Sequence, residues 1–197
     1  MLNNYTQDIG PFFERARQCL RGQADEGLIG STSAKPAAVL VPVVKRAQGL
    51  NVLLTQRSDE LPTHAGQIAF PGGKIDAGDT SPLDAALRET FEETGIERRF
   101  VEPVGYLDTF ETGTGFCIVP VVGVVSDGFK LVPEPGEVTD IFEVPLVFLM
   151  DPKNHVHKNV MWKGKMRSFY EMPYKGRYIW GVTAAMLRNM SMKMNNG

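Results

Sequence analysis

Three carboxylates, Glu89, Glu92 and Glu93, crowd into five positions of the run Arg88 to Ile96 (RETFEETGI). Residues three and four apart share one face of a helix, so on a helix these side chains converge although each repels the others. A hard divalent cation such as magnesium or manganese suits that gathering, because it takes carboxylate oxygens and leaves coordination sites for water and phosphate. The competing reading is a solvated acidic face. Position argues against it: acids near a helix's C-terminal end oppose its macrodipole, at a few tenths to about 1 kcal/mol each when exposed. Arg88 can orient the carboxylates by charge-assisted hydrogen bonds, or simply pair with Glu92 one turn on.

The helix that must carry these acids has legible ends. Ser81 is an N-cap, Pro82 occupies the first helical position, and Asp84 stands where a capping box usually has glutamate. The helix is predicted to run to about Thr94, and Gly95 to end it in the left-handed conformation. Leu83, Ala86, Leu87, Thr90, Phe91 and Thr94 form a stripe for a core, with the three glutamates largely off it. Just upstream, Gly72 and Gly73 allow a sharp turn or a ligand's approach to main-chain N–H groups. A loop carrying Asp76 and Asp79 follows.

Other elements follow from the same rules. Residues 37–44 and 51–57 are β-rich runs that should form a hairpin, with Pro42 implying a bulge or an edge position. The second run ends in polar residues, among them Arg57, where a strand can deliver side chains to a site. An N-terminal helix is expected over 6–21, and a connector over 22–35. Strands are expected at 67–70, 101–109, 116–125 and 138–144, and a short helical turn at 145–150. A hairpin pairs 155–162 with 166–172 around Lys163 to Lys165. A second long helix is expected from Arg177 to about Met190, leaving a frayed tail. His155 and His157 read as surface residues, and Trp162 and Trp180 as core.

At 197 residues the chain is long enough for one well-buried domain, with a core expected over about 37–190 and an N-terminal helix and connector over 1–36. A net charge of −2, with no long basic run, lacks the electrostatic footprint of a nucleic-acid binder. Two cysteines, Cys19 and Cys117, cannot make a disulfide framework and read as reduced. No signal peptide and no apolar run of membrane-spanning length is evident, which places the expected setting in the cytoplasm. Strands on both sides of one central helix, with another helix late in the chain, suggest an α/β fold with a mixed sheet between helical layers.

Gly73, Asp79, Arg88, Glu89, Glu92, Glu93, Gly95 and Ile96 together resemble the Nudix box of the Nudix hydrolases. Two departures lie in its first half. The loop acid is Asp79 rather than glutamate, and eight residues rather than seven separate it from Arg88. Leu53 to Ser58 (LLTQRS), Leu61, His64 and Gly66 to Gly73 (GQIAFPGG) resemble the additional signature of the coenzyme A diphosphatase branch. Pro62 stands where that branch frequently has a basic residue. Residues 142–146 and 179–184 are also similar to segments of that branch.

The resemblance implies an α/β/α sandwich with a mixed sheet and a central metal-binding helix. It implies metal-dependent hydrolysis of the diphosphate of coenzyme A or its derivatives to 4′-phosphopantetheine and 3′,5′-ADP. Glu89 and Glu93 match the family's principal ligands for magnesium or manganese, with Glu92 a third ligand, direct or through water. Glu137, outside the helix, is the candidate general base. Arg57, His64, Gln67, Gly72 and Gly73 are the candidates for substrate binding. The alternatives are a Nudix hydrolase of another nucleoside diphosphate, such as ADP-ribose or a dinucleotide, and a non-catalytic Nudix module that binds a nucleotide or protein. The partners implied are coenzyme A or a related nucleotide, no nucleic acid and no membrane, with a homodimer allowed.

Overall fold

The computed structural model describes residues 4–24, 33–162 (of Trp162 the backbone only) and 164–196. The helices are α1 (Ile9–Cys19), α2 (Pro82–Thr94), α3 (Leu146–Met150) and α4 (Gly181–Asn196). The strands are β1 (Lys35–Arg46), β2 (Gly49–Arg57), β3 (Ile68–Ala69), β4 (Gly72–Lys74), β5 (Val101–Tyr106), β6 (Phe110–Glu111), β7 (Phe116–Val125), β8 (Val138–Pro145), β9 (Val156–Trp162), β10 (Lys165–Tyr174) and β11 (Arg177–Trp180). Much of the expected connector, along with Lys163 of the second hairpin's turn, lies outside the described residues.

β1 and β2 form the expected hairpin, with Arg46 opposite Gly49 across a two-residue turn. β1 also runs parallel to β7 from Lys35 to Val44 and antiparallel to β4. β5 and β6 pair with β7, and β3 and β8 pair with β2, completing a mixed sheet of eight strands. Pro42 is therefore at neither an edge nor a bulge: it sits mid-strand, in unbroken register with β7. Leu40, two residues earlier, donates its N–H to Pro71 on the β4 side, so the Pro42 nitrogen faces that side too. There β1 has parted from β4 after Val39 and meets β2 only from Val43, so no ladder bond is lost.

Alternation along the strands builds two cores. Ala38, Leu40, Val44, Leu53, Val121 and Val125 pack under Ala85, Ala86 and Leu87 of α2. Val41, Val43, Val52, Leu54, Val122 and Val124 face the other way, where Phe12 and Ala16 of α1, Leu146 and Leu149 of α3, and Leu187 and Met190 of α4 cover them. The result is the expected α/β/α sandwich. Among the described residues no helix is long and apolar enough to cross a membrane.

The C-terminal region departs from expectation. Residues 177–180 are strand β11, not the start of a helix, and with β9 and β10 they make a separate antiparallel sheet. Lys175 and Gly176 form a two-residue turn with φ of 46° and 80°, which sets Tyr174 opposite Arg177. Positive φ at both central residues defines the tight hairpin turn, and an aromatic-rich pair of strands suits a half-covered sheet. Helix α4 begins only at Gly181 and runs to Asn196, because Met190, Ser191 and Met194 are buried; the described part of the tail expected to fray, 191–196, continues the helix. Trp180 is half-buried beside Tyr178 instead of in the core. On α2, Phe91 is 53% exposed, while Glu93 is only 3% exposed. Thr90 and Thr94 of the expected stripe are buried, but Phe91 is not, and Glu93, expected off the stripe, is.

Candidate active site

Helix α2 forms where its signals place it. The Ser81 Oγ accepts the Asp84 N–H at 3.1 Å, and Gly95, at φ 78°, returns its N–H to the Phe91 carbonyl at 2.8 Å. Asp84 does not complete the capping box; its carboxylate takes the Thr80 hydroxyl and Arg98 instead. The open carbonyls at the other end are satisfied from outside the helix: Val132 donates to Thr94 at 2.8 Å and Glu134 to Glu93 at 3.1 Å. Those bonds tie loop 131–137 to the acidic end of α2. A further bond, from the Ser58 N–H to the Glu137 carbonyl at 2.8 Å, ties it to the end of β2.

Arg88 is the organiser of the acids. Its Nε and Nη2 donate to the two oxygens of Asp79 at 3.0 and 2.9 Å, a bidentate pair, and Nη2 also reaches the Lys74 carbonyl at 3.1 Å. Nη1 is turned to Glu89 at 3.0 Å and Glu92 at 3.2 Å. Bonding to Asp79 raises the Arg88 pKa, and the same bond holds Asp79 below the usual carboxylate range. Asp79, whose loop spacing departs from the usual box, thus takes the position of Arg88's main partner.

Glu93 lies deeper. The Gly72 N–H donates to its Oε2 at 3.1 Å, and the Arg57 guanidinium lies 3.9 Å from its Oε1. Burial, opposed by those two groups and reinforced by Glu137 and Glu89, pushes its carboxyl up to about 8. Burial also raises Glu89, against the pull of Arg88. A β-carbon at Gly73 would lie 2.4 Å from the Glu89 carboxylate carbon, and one at Gly72, at φ 152°, 2.4 Å from the Ala38 carbonyl oxygen. Gly73 therefore lets the Glu89 carboxylate lie against the backbone, Gly72 lets β4 approach β1 closely, and the Gly72 N–H is engaged by Glu93.

The other sequence candidates fall into two places. Arg57 is beside Glu93, and its Nε is buried without a hydrogen-bond partner. Glu137 has an exposed side chain whose charge acts on both Glu89 and Glu93. His64 and Gln67 are bonded to each other, Nδ1 to Oε1 at 3.0 Å. They belong to the loop from β2 to β3, and Gln67 lines a cleft of about 620 Å³ with Gln56, Lys175, Arg177, Tyr178 and Trp180. The sequence reading passed over that second wall because it placed Arg177 to Trp180 in a helix. His155 bonds the Leu149 carbonyl at 2.8 Å and His157 lies against Tyr170.

Among the described residues no three acidic, histidine or cysteine side chains already sit tightly enough to hold one ion. The donor set nevertheless fits a hard divalent cation. It is all oxygen, and the nearest positive charges to the acids are the guanidinium groups of Arg88 and Arg57. A buried Glu93 whose neighbours are mostly acidic also has reason to accept a cation.

The NUDIX domain model matches residues 34–162, and the chain belongs to the Nudix hydrolase family. That makes it a hydrolase of nucleoside diphosphate derivatives, a class that generally uses divalent ions such as magnesium or manganese. It is 38% identical over 177 residues to an uncharacterized Nudix hydrolase NudL of Yersinia enterocolitica, covering 89% of this chain and 90% of the relative. The corresponding protein of Citrobacter koseri is 36% identical over 194 residues, covering 98% of both chains. Among solved structures, a C. elegans Ap4A hydrolase binary complex aligns with a TM-score of 0.49 at 23% identity, covering 56% of this chain and 80% of that one.

Proposed function

We propose that this chain is a metal-dependent coenzyme A diphosphatase. The observation that carries the hydrolytic half of the reading is Glu93, one turn from Glu89, buried beside Glu89 and Glu137 with its carboxyl held near 8. A fold that isolates an acid so unfavourably gains from the site only if a cation joins it, and a plain binding module has no need of the arrangement. Glu89, Glu92 and Glu93 would hold magnesium or manganese, which would neutralise the diphosphate and acidify the attacking water.

The chain's own residues supply the rest. Arg88, locked by Asp79, holds Glu89 and Glu92 in place. Arg57 stands where a phosphate oxygen can draw its guanidinium away from Glu93. Glu137 is the general base: it takes a proton from water as the water oxygen attacks phosphorus. The anhydride P–O bond then breaks, and 4′-phosphopantetheine and 3′,5′-ADP leave. The choice of coenzyme A rests on the run from Leu53 to Gly73, whose residues border both Glu93 and the Gln67 cleft. The reaction is placed in the cytoplasm, on a soluble substrate.

A mass-spectrometric assay across coenzyme A, ADP-ribose and a dinucleotide, with magnesium or manganese, tests the reading. Coenzyme A is expected to be split fastest into the two products named. If it were the poorest of the three, the coenzyme A assignment would fall and the diphosphatase would stand.

A further inference from the structure

The cleft beside Gln67 lies on the opposite face of the large sheet from α2. On β2, Leu53 faces α2 and Leu54 the other core, which puts Gln56 on the far side and Arg57 on the near side. The cleft is therefore distinct from the acidic centre, yet it meets it at the end of one strand. One wall is the loop from Ala65 to Ile68, and the other is the turn and strand from Lys175 to Trp180. Both walls are fastened. Thr183, at the start of α4, donates its hydroxyl to the Ile68 carbonyl at 3.0 Å, and Arg177 reaches Gln56 at 3.4 Å and Asp140 at 2.5 Å. The Arg177 guanidinium also lies 3.8 Å from the Phe142 ring centroid, which fixes its plane.

What remains free in the cleft has a definite chemistry. Tyr178 and Trp180 stack with centroids 6.1 Å apart and planes 28° apart, presenting a half-exposed aromatic surface. Arg177 is matched by Asp140, but Lys175 makes no ion pair among the described residues; its ammonium only overlies the Tyr174 ring, 5.3 Å from the centroid. The Lys175 backbone is held at φ 46° by its tight turn with Gly176, which fixes where the lysine side chain leaves the cleft wall.

We propose that this cleft binds the nucleotide half of the substrate: Trp180 and Tyr178 stack the adenine, and Lys175 contacts the phosphate on the ribose. An adenine ring matches the aromatic surface, and a phosphate monoester matches the unpaired ammonium. Gln56 and Gln67 supply amide donors and acceptors for the base edge or sugar. The proposal rests on the coenzyme A reading for its choice of a ribose phosphate, but not for the presence of an adenine nucleotide.

The test separates the two. Trp162→Phe leaves Trp180 as the sole tryptophan, and its emission is followed during titration with adenosine 3′,5′-bisphosphate, adenosine 5′-monophosphate and inorganic phosphate. Quenching by both nucleotides is expected, with the bisphosphate binding about tenfold more tightly. Lys175→Asn, which keeps a residue tolerant of the left-handed turn, should erase that preference, and Lys175→Arg should restore it. In steady state, Lys175→Asn should raise KM for coenzyme A about tenfold and leave kcat unchanged. Coenzyme A hydrolysis by a protein whose Trp180 emission responds to neither nucleotide would overturn the cleft assignment alone. An equal response to both nucleotides, unchanged by Lys175→Asn, would overturn the role of Lys175. Nucleotide quenching in a protein that hydrolyses ADP-ribose but not coenzyme A would support the adenine subsite and remove the coenzyme A reading.

Discussion

Replacing Glu93 by glutamine removes one charge and keeps the size and the acceptor that the Gly72 N–H needs. In the metal-free protein this should stabilise the fold, in a pH-dependent way. A carboxyl held near 8 in the folded state against an ordinary 4.5 resists ionisation by as much as about 5 kcal/mol. Because the folded value is the higher one, the contribution of Glu93 is fully present below about 4.5 and is lost as pH rises through 8. Wild type and Glu93→Gln should therefore have similar stability near the acid end, and the variant should pull ahead steadily up to the alkaline end. Urea denaturation in a chelator across that range measures the gap. A divalent ion must displace the same proton, so binding below pH 8 should release about one proton per site. Calorimetry in buffers of different ionisation enthalpy reads that release, and Glu93→Gln should abolish it. A stability gap that does not change with pH, together with no proton release near neutrality, would refute the account of Glu93 as a buried acid awaiting a cation.

Other substitutions separate the acids and glycines. Glu93→Gln and Glu89→Gln should lower kcat on the order of a thousandfold, since each removes charge from a site that must neutralise a diphosphate. Glu92→Gln should do less, because the Glu92 side chain is 53% exposed and is held only by Arg88. Steady-state rates at saturating magnesium rank the three. Exhaustive chelation should abolish turnover and added magnesium or manganese restore it; full activity after chelation would sink the metal mechanism. Gly73→Ala should displace the Glu89 carboxylate and cut kcat with little change in Tm. Gly72→Ala, against backbone and at a strained φ, should cost about 2 kcal/mol or more of stability. Thermal melts and rates measured on both variants distinguish the two effects.

How far the sequence could be read depended on whether a signal was local. The cap at Ser81, the proline after it and the left-handed Gly95 are local, and helix α2 begins and ends where they say. The hairpin from Lys35 to Arg57 is equally local. Pro42 misled because its tolerance depends on where a neighbouring strand leaves, which is a tertiary fact. Residues 177–180 misled because Ile179 and Val182 fit helical spacing, while Lys175 gave no sign of the left-handed turn that aspartate or asparagine before Gly176 would have given. The acidic cluster was legible as a group. The depth of Glu93 was not, because it depends on Gly72 and Arg57 arriving from two other strands.

The departure in the loop before α2 also has a physical resolution. Aspartate is one methylene shorter than glutamate, and here the loop that carries it is one residue longer. Asp79 still meets Arg88 with both oxygens, on Nε and Nη2. Because the guanidinium is a rigid plane, filling that edge fixes where Nη1 points, and it points at Glu89 and Glu92. The changed loop and the changed acid thus offset one another. What the fold conserves through them is the orientation of Arg88, and with it the spacing of two of the three carboxylates.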